Sequence, residues 1–377
     1  MAELIERLAG KYGCQVDLYA ERVDGLPLRD ALGSPDANQG AIYWHKVPAI
    51  PGPHIVRFLA WLFLNAFFRR RQQRSNGSPY DLVLSPGINC LHPDVVIVHA
   101  LFCRLQELAR SEEAPRFRGG ILRYLHRRLY YGLLSLLERR VYTNQRVTLA
   151  AVSRRTSALV AKHFLRRDVA VVPNGVAATE FSPAKRLARR PAARRRWALR
   201  DSEYVLLLIG NDWRVKGLPV VLEALAALRD LPLRLLVAGN DNPSSFQKRA
   251  AQLGFAERCL WQTSDGVDVL ELYAAADIYV SPSQEDSFGL PVAESMACGL
   301  PVITSACAGV SDFVQDAVNG FVLQDPSDVP RLAAIIAQLQ SSPERGQKIG
   351  ELAVQSIMAW DWDRNAESLW KILTARR

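Results

Sequence analysis

Residues 277–306 read "DIYVSPSQEDSFGLPVAESMACGLPVITSA", and this stretch contains two short apolar runs separated by a helical segment. The runs "DIYVSPS" (277–283) and "LPVITSA" (300–306) are typical of strands that are buried on both faces of a parallel sheet. Between them, Asp286 precedes a Phe-Gly-Leu-Pro turn, and Glu294 lies one turn inside the predicted helix. A strand, a helix and a second strand in this order predict a right-handed βαβ unit.

The same alternation extends upstream of this unit. The runs "YVLLLIG" (204–210) and "LRLLVAG" (233–239) also read as buried strands, and helical segments follow them at 218–230 and 244–254. Repeated units of this kind predict a doubly wound parallel sheet. Ligands of such sheets bind beyond the carboxyl ends of the strands, where the sequence places Asp286.

The first half of the chain shows the alternation less clearly. Its predicted elements are helix 2–11, strands 14–19 and 41–47, helix 54–73, strands 80–86 and 93–100, helix 119–142, strand 147–152, helix 154–164 and strand 169–175. The α/β pattern predicts two Rossmann-like doubly wound domains that face a cleft. We expect a first domain at 1–177, a basic linker at 178–200, a second domain at 201–358, and a terminal helix at 359–377 that packs back toward the first domain.

Composition places the chain among globular proteins of a reducing compartment. Its 377 residues are 49% hydrophobic and 23% charged, which is ordinary for a protein with two folded cores. The six cysteines form no CxxC pair, which argues against a disulfide framework and against a zinc site. The start "MAELIERLAGKYGC" lacks the basic and apolar regions of a signal peptide. We therefore expect a cytoplasmic protein.

Positive charge is concentrated in the first half. Residues 1–200 contain 33 Lys and Arg against 15 Asp and Glu, whereas residues 201–377 contain 14 against 23. A basic half suggests a polyanionic partner, for which nucleic acid, anionic lipid and a phosphorylated glycolipid are all candidates. The run "KRLARRPAARRRWALR" (185–200) lacks the interleaved aromatic residues that stack on bases, which favours a solvated basic helix over a nucleic-acid patch.

The longest apolar run is "IVRFLAWLFLNAFFRRRQQR" at residues 55–74. Its uncharged part, 58–68, is much shorter than the about 20 residues that span a bilayer. This pattern favours a packing helix of the first domain. A helix on a membrane surface is the alternative, because a tail of four arginines follows the apolar part.

Four segments together resemble family 4 of the glycosyltransferases: "VVPNGVAATEFSP" (171–183), "IGNDWRVKGL" (209–218), "PSQEDSFGLPVAESMACGLPVI" (282–303) and "VNGFVLQDPSD" (318–328). The resemblance is strong over residues 172–377 and looser before them. It implies a GT-B fold and a retaining, metal-independent enzyme that uses a nucleotide sugar. Within the family, "GNDWRVKG" (210–217) and "AGNDNPSSFQKRAAQLG" (238–254) are similar to the glucosyltransferases of the lipopolysaccharide core.

The resemblance also implies roles for the paired acids. In the family pattern Glu-x7-Glu, the first acid binds sugar hydroxyls and the second binds the ribose diol, for which carboxylates are suitable acceptors. This chain has Asp286 at the first position and Glu294 at the second, so the shorter side chain either draws the sugar closer or leaves its role to Glu285. Backbone N–H groups between the acids would face the diphosphate. The donor-binding residues there are Ser287, Phe288, Gly289 and Leu290.

Positive charge must stabilise the departing nucleoside diphosphate. The resemblance assigns this role to the loop after 204–210, in which Arg214 and Lys216 are the candidates and Gly210 and Asn211 line the donor site. Most members have an arginine where this chain has Asn211, so Arg214 would act from a different position. The alternative is an ordinary pair of residues that face solvent.

One histidine is also a candidate. His99 follows the predicted strand in "VVIVHALF" (95–102), and family members often have a histidine near such a strand end. Its catalytic and structural interpretations are equally supported, whereas His92 reads as a loop residue. The motif "DWD" (361–363) imitates a metal-binding DxD, but it precedes the terminal helix and is better explained as that helix's cap.

The resulting hypothesis is a retaining hexosyltransferase that acts on a glycolipid or oligosaccharide in cell-envelope or lipopolysaccharide synthesis. It would need no cofactor and no metal, with a UDP-sugar or GDP-sugar as substrate. It would be cytoplasmic or peripheral on the inner face of the cytoplasmic membrane, where its basic first domain contacts anionic lipid, and it would bind no nucleic acid. A GT-B sugar-nucleotide epimerase and a non-catalytic module that binds membranes or nucleic acid are the alternatives.

The family pattern also bears on the start of the chain. Family members have a buried strand and a Gly-Gly loop before the helix that here reads "MAELIERLAGKYG" (1–13). The resemblance therefore predicts that this strand and loop are missing. We expect a gap in the first sheet, with unpaired backbone groups along its edges.

Overall fold

The computed structural model describes residues 1–28, 40–76, 79–111, 120–263 and 265–376. These residues form two compact units. Unit 1 comprises Met1–Pro173 together with Trp362–Arg377, and unit 2 comprises Asn174–Asp361. The boundary therefore lies a few residues before the predicted position at 177.

Unit 1 is an α/β unit built on short parallel strands. Its elements are α1 (Ala2–Gly10), β1 (Gln15–Ala20), β2 (Ala41–Lys46), α2 (His54–Asn76), β3 (Leu84–Pro86), β4 (Val95–Val98), α3 (Phe102–Ser111), α4 (Gly120–Tyr142), β5 (Thr148–Ala151), α5 (Arg154–Phe164) and β6 (Ala170–Val171). The apolar run of β4 is fully buried in the core, as expected of a central parallel strand. Helix α5 begins where the Ser153 hydroxyl accepts a hydrogen bond from the backbone N–H of Thr156.

The strands of unit 1 lie in two separate sheets, with the orders β1-β2 and β3-β4-β5-β6. Each of β1 and β3 has a single strand partner among the described residues. Residues of both strands line one cavity of about 730 Å³, together with residues of α1 and α2. Strands β1 and β3 therefore belong to different sheets, and both line this cavity.

Helix α2 is only partly a packing helix. Leu62 and Ala66 are buried, as the favoured interpretation predicts, whereas the neighbouring Phe63 and Phe67 are exposed. None of the helices in the described part of the chain is long and apolar enough to cross a membrane.

Unit 2 is a six-stranded parallel sheet with the order β12-β11-β10-β7-β8-β9. Its elements are α6 (Pro183–Arg196), β7 (Tyr204–Ile209), α7 (Leu218–Ala227), β8 (Leu233–Ala238), α8 (Ser244–Gln252), β9 (Cys259–Gln262), α9 (Val269–Ala275), β10 (Ile278–Val280), α10 (Leu290–Ala297), β11 (Val302–Ser305), β12 (Phe321–Leu323), α11 (Val329–Ser341) and α12 (Pro343–Met358). Apolar side chains of β7 and β8 form one core with α7 and α11. The strands predicted at 204–210, 233–239, 277–283 and 300–306 are all present, and all are parallel.

The predicted linker at 178–200 is wrong, because these residues belong to unit 2 and contain α6. The predicted basic helix is present as α6 and most of its residues are exposed, but several of its arginines pair with carboxylates of the same unit. Nη2 of Arg190 lies 2.5 Å from a carboxylate oxygen of Asp277, and Arg194 is buried beside the same carboxylate. Arg189 and Arg196 pair with Asp268 and Glu271. The basic run therefore attaches α6 to its own unit through ion pairs.

The chain ends with helix α13 (Trp362–Thr374), which belongs to unit 1. Asp363 lies in its first turn, where a negative charge interacts favourably with the helix dipole. The Asp363 carboxylate also accepts a hydrogen bond of 3.0 Å from Nε of Arg7 in α1. The "DWD" motif therefore places one acid in an ion pair between two helices of the same unit.

Candidate functional site

The chain path in unit 2 reverses direction between β7 and β10, which are neighbours in the sheet. From β7 the chain proceeds to β8 and β9 on one side, and from β10 it proceeds to β11 and β12 on the other. Ligands of open parallel sheets bind beyond the carboxyl ends of the strands at such a reversal. The two loops that follow β7 and β10 contain most of the predicted donor-binding residues.

These two loops are joined by an ion pair. Nζ of Lys216, in the loop after β7, lies 2.5 Å from Oδ2 of Asp286, in the loop after β10. The Lys216 side chain is 20% exposed and the Asp286 side chain is 15% exposed, so solvent reaches both charged groups. The backbone N–H of Gln284 also donates to the carbonyl of Val215, at 2.8 Å.

Gly217 makes the close approach of these loops possible. Its φ of 85° lies in the left-handed region, and a Cβ at this position would be 2.2 Å from the carbonyl oxygen of Pro282. Only glycine fits both constraints. The glycine that ends "GNDWRVKG" therefore sets the position of Lys216 relative to Asp286.

Helix α10 begins directly after this ion pair and presents unused donors. Gly289, with φ of 96°, precedes the helix, and no side chain caps it. The backbone N–H groups of Gly289 and Leu290 donate to no acceptor among the described residues. Free N–H groups at the start of a helix attract anions. Phe288 N donates to Oδ1 of Asp286 at 3.3 Å, so the same carboxylate orders the turn.

Glu294 lies inside α10 and interacts with a tyrosine that the sequence analysis did not identify. The buried hydroxyl of Tyr273 donates to Oε2 of Glu294 at 2.6 Å. Burial raises the pKa of Glu294 to about 7, against the lowering effect of this hydrogen bond, and the nearby Glu180 carboxylate adds to the rise. Glu294 therefore changes its charge close to neutral pH.

Tyr279 of β10 is a second buried tyrosine of this site. The hydroxyl of Tyr279 donates to the carbonyl of Ile209 at the end of β7, at 3.3 Å. Burial raises the pKa of Tyr279, and the negative charges of Asp286 and Glu294 raise it further. Both predicted acids therefore lie near one tyrosine at the end of β10.

The remaining predicted residues of this site lie in the same two loops. A Cβ on Gly210 would be 2.7 Å from Cγ of Lys216, so this glycine leaves room for the lysine stem. The side chain of Asn211 accepts a hydrogen bond from the backbone N–H of Asn240 and fixes the loop after β7 to the loop after β8. Arg214 is exposed and forms no ion pair with a described residue. Glu285 and Ser287 are half-buried beside Asp286.

His99 lies in unit 1, directly after the last residue of β4, whereas Asp286 and Glu294 belong to unit 2. Burial lowers the pKa of His99 to about 4, and the positive amino group of Met1 lowers it further. Its buried Nε2 has no hydrogen-bond partner among the described residues. His99 is therefore a neutral imidazole at pH 7, with one nitrogen available.

Unit 1 also contains a buried acid that the sequence analysis did not identify. Glu138 of α4 is fully buried, and its two carboxylate oxygens accept hydrogen bonds from the backbone N–H groups of Phe102 and Cys103, at 2.6 and 2.9 Å. Burial raises the pKa of Glu138 to about 7, although these bonds lower it. Its position as a lone acid in a basic, apolar helix was the available signal.

The described residues contain no group of three His, Cys, Asp or Glu side chains close enough to hold a metal ion. The motif "DWD" (361–363) was the sequence pattern that resembled a metal site, and its Asp363 forms an ion pair with Arg7. The positive charge at the candidate site belongs to side chains, and the N–H groups that start α10 add partial positive charge.

Comparison with known proteins agrees with this geometry. Residues 189–355 match the family model described as glycosyl transferases group 1. D-inositol 3-phosphate glycosyltransferase of Thermomonospora curvata is 35% identical over 224 residues, which cover 55% of this chain and 52% of that protein. The chain spans about half the length of the curated relatives that it matches.

Solved structures match over a larger part of the chain. WaaG is a glycosyltransferase involved in lipopolysaccharide biosynthesis. Its structure matches with a TM-score of 0.74 at 22% identity, over 99% of this chain and 94% of the WaaG chain. Anabaena HepE in complex with UDP-glucose has a TM-score of 0.64 at 17% identity, over 88% of this chain and 86% of its own. These matches confirm the predicted α/β fold of GT-B type with two Rossmann-like domains. The segment from β7 to β11, on which the candidate site is built, lies within residues 189–355, and this chain therefore carries a domain of the glycosyl transferases group 1 family.

Proposed function

We propose that this protein is a retaining glycosyltransferase that moves a hexose from a nucleotide diphosphate sugar to a hydroxyl group of a glycolipid or oligosaccharide. The observation that carries this proposal is the position of the Lys216–Asp286 pair and the uncapped start of α10 at the point where the sheet reverses direction. A cation and free N–H groups suit a diphosphate, and a carboxylate suits sugar hydroxyls. The relative from Thermomonospora curvata and the structural match WaaG are both glycosyltransferases.

In the proposed complex, each charged residue of the site binds a different part of the donor. Lys216, Arg214 and the N–H groups that start α10 hold the two phosphates. Glu294 accepts hydrogen bonds from the ribose diol, and Asp286 accepts them from hydroxyls of the transferred sugar. The donor is a UDP-sugar or a GDP-sugar, and no metal or cofactor takes part, because side-chain and helix charges stabilise the leaving group.

The proposed chemistry needs no nucleophile from the protein. The bond between the anomeric carbon and the phosphate oxygen breaks while the acceptor oxygen bonds to the same face of that carbon. The proton of the acceptor hydroxyl passes to the departing phosphate oxygen, and the nucleoside diphosphate leaves with the bonding electrons. The lysine and the helix start stabilise the negative charge that develops there. His99, as a neutral imidazole, would orient the acceptor hydroxyl.

The acceptor that we propose belongs to the cell envelope, which agrees with the involvement of WaaG in lipopolysaccharide biosynthesis. A glycolipid acceptor would place the enzyme at the inner face of the cytoplasmic membrane.

The decisive experiment is a thermal-unfolding screen with UDP, GDP and their hexose conjugates. A ligand at about 100 times its Kd stabilises the native state by about 2.7 kcal/mol, so one nucleotide class should raise the unfolding temperature by several degrees. The Lys216→Met variant should lose this shift, whereas Arg345→Gln, an exposed change in the same unit, should keep it. Product analysis with and without acceptor then separates transfer from epimerisation. No shift with any sugar nucleotide would contradict the proposal.

A further inference from the structure

Helix α3 begins without a cap of its own. Leu101 occupies the N-cap position, since its carbonyl accepts a helical hydrogen bond of 3.1 Å from the backbone N–H of Leu105. A hydrocarbon side chain cannot accept a bond from the first N–H groups of a helix. The first turn of α3 also contains no acid. Another part of unit 1 supplies the acceptor that this helix start lacks.

The acceptor is Glu138 of α4. Its carboxylate oxygens receive the backbone N–H groups of Phe102 and Cys103, at 2.6 and 2.9 Å. A side-chain cap normally lies within three residues of the N–H that it binds, whereas Glu138 lies 36 and 35 positions away. The ring of Phe102 also contacts the ring of Tyr131, with 6.4 Å between their centroids. Two side chains of α4 therefore hold the first turn of α3.

The backbone that Glu138 holds includes His99. Two residues separate His99 from the first residue of α3. On the other side, His99 follows Val98, which ends β4 and pairs with Ala151 of β5. Leu101 is buried in the core of unit 1. The short turn that carries His99 is thus fixed by strand pairing at one end and by Glu138 at the other.

The ring of His99 depends on this backbone for its direction. Its Nε2 is buried and has no hydrogen-bond partner in the part of the chain that the structure describes. Burial lowers the pKa of His99 to about 4, so the ring also carries no charge that an acid could hold at neutral pH. A displacement of the turn would therefore displace the imidazole.

A buried carboxylate is an expensive cap in free energy, and a neighbouring helix shows the ordinary solution. Burial raises the pKa of Glu138 to about 7, which reflects the cost of charge in the core. Helix α5, which follows β5 in the same sheet, is capped by its own Ser153. A local cap satisfies N–H groups and does nothing more. A cap from α4 also fixes α3 relative to α4, which a serine at residue 101 would not do.

We propose that Glu138 is a positioning residue, which holds the turn between β4 and α3 so that His99 directs a ring nitrogen at the acceptor hydroxyl. Glu138 itself touches no substrate and acts through the N–H groups of Phe102 and Cys103. The catalytic part of this inference rests on the proposed function, in which His99 orients the acceptor. The anchoring of the turn can be measured without any activity.

Amide hydrogen exchange at pH 8, where most Glu138 side chains are ionised, tests the anchor. The first N–H groups of a helix are ordinarily unprotected, but those of Phe102 and Cys103 should be protected in the wild-type protein. In Glu138→Gln they should exchange at least about tenfold faster, because an amide offers one acceptor oxygen where the carboxylate offers two. Glu107→Gln is the matched control, since Glu107 lies later in α3 and pairs with Arg104. Rapid exchange of both amides in the wild-type protein would overturn the anchor.

The position of His99 is measured by NMR with isotope-labelled histidine, and the His99→Gln variant assigns its signal. In Glu138→Gln this signal should shift, and the pKa of His99 should rise from about 4 toward the ordinary value of about 6.5 as water reaches the ring. Glu107→Gln should leave both unchanged. If Glu138→Gln does not fold, Glu138→Asp replaces it, because a side chain shorter by one methylene cannot reach both N–H groups. A folded variant with an unchanged His99 signal would contradict the proposal.

A double-mutant cycle tests whether Glu138 acts through His99. The turnover number for sugar transfer should fall at least about tenfold in Glu138→Gln, since a small misplacement of an orienting group has effects of this size. The affinity for the nucleotide sugar should be unchanged, because the donor residues belong to unit 2. Adding Glu138→Gln to His99→Gln should cause no further loss.

Additive losses in this cycle would make Glu138 a purely structural residue and would overturn its positioning role. Failure of the proposed function has a different signature, because the wild-type protein would then transfer no sugar at all. In that case the amide exchange and the His99 signal would still decide whether Glu138 anchors the turn, and the catalytic part of the inference would be wrong.

Discussion

Nζ of Lys216 lies 2.5 Å from Oδ2 of Asp286, and this ion pair joins the loops that follow two neighbouring strands of unit 2. The two residues have different proposed partners, a phosphate for the lysine and sugar hydroxyls for the carboxylate. A bound diphosphate would therefore compete with Asp286 for the ammonium group. Removing one charge or the other should change the affinity for the nucleoside diphosphate in opposite directions.

The first variant is Lys216→Met, which keeps the length of the side chain and removes the charge. We expect the affinity for the nucleoside diphosphate to fall by about 1.5–3 kcal/mol, the range for a hydrogen bond to a charged group. Titration calorimetry with UDP and GDP measures this change. Arg249→Met is the control, because Arg249 forms an exposed ion pair with Glu223 in the same unit, and nucleotide affinity should not respond to its loss.

The second variant is Asp286→Asn, which releases Lys216 from its carboxylate. Affinity for the nucleoside diphosphate alone should rise, by roughly 1 kcal/mol, because the ammonium group no longer has a competing partner. Affinity for the complete nucleotide sugar should fall, because the sugar hydroxyls lose an anionic acceptor. Equal losses of diphosphate affinity in the Lys216 and Asp286 variants would instead show that the pair is a structural clamp.

Glu294 should make donor binding depend on pH. Its pKa is raised to about 7, so lowering the pH through this value protonates the carboxyl group and removes an acceptor for the ribose diol. Donor affinity should therefore fall on the acid side of about pH 7. Glu294→Gln should lower the affinity by about 1–3 kcal/mol and remove this pH dependence. A variant with the unchanged wild-type pH profile would exclude Glu294 from the donor site.

The same group should affect folding stability in the opposite sense to an ordinary carboxylate. The folded-state pKa of Glu294 lies above the unfolded value of about 4.3, so the folded protein keeps a proton that the unfolded chain releases. Its contribution is fully present below the unfolded pKa and is lost as the pH rises through about 7. Relative to wild type, Glu294→Gln should therefore gain on the order of 1–3 kcal/mol of stability between about pH 5 and about pH 8. Chemical unfolding without nucleotide measures this difference, and a pH-independent difference would contradict the raised pKa.

The strands of unit 2 could be predicted from the sequence because strands buried on both faces read as continuous apolar runs. Strands β7 and β8 lie within one residue of their predicted limits. In contrast, β10 has three residues where seven were predicted, because "SPS" at 281–283 is buried without pairing as a strand. Apolar or small composition indicates burial, and only backbone pairing decides where the strand ends.

The contacts of the charged residues could not be predicted in the same way. Lys216 and Asp286 were both identified as donor-binding residues, but they are 70 positions apart, and no local pattern indicates that they form a pair. The ion pairs of helix α6 could not be predicted for the same reason, because Arg190 pairs with Asp277 at a separation of 87 positions. Composition reveals a surplus of charge, whereas the partner of each charge depends on the complete fold.

Metal removal tests the proposed source of positive charge at the diphosphate. If Lys216, Arg214 and the start of α10 stabilise the leaving group, transfer should continue at an unchanged rate in excess EDTA. The measurement is the release of nucleoside diphosphate with acceptor present, before and after chelation, and with manganese or magnesium restored. A strict requirement for either metal would assign the phosphate charge to an ion and would remove the need for Lys216 in that role.

The last prediction concerns the hydrogen bond of 2.6 Å from the Tyr273 hydroxyl to Oε2 of Glu294. Tyr273→Phe keeps the ring, which packs edge to face on Phe181 at 5.8 Å, and removes only the donor. The hydrogen bond favours the ionised carboxylate, so its loss should raise the pKa of Glu294 further above about 7.

Two measurements distinguish a positioning role of Tyr273 from a purely structural one. If Tyr273 orients Glu294 toward the ribose, the acid limb of the donor-affinity profile should move to higher pH, and affinity at neutral pH should fall by about 1 kcal/mol or more. If Tyr273 only supports the core, stability should fall by a similar amount while the pH profile stays in place. Tyr204→Phe provides the control, because Tyr204 begins β7 and packs against the core of the same unit, and its hydroxyl forms no hydrogen bond with Glu294. The positioning role requires the pH profile to move in the Tyr273 variant and to remain unchanged in the Tyr204 variant.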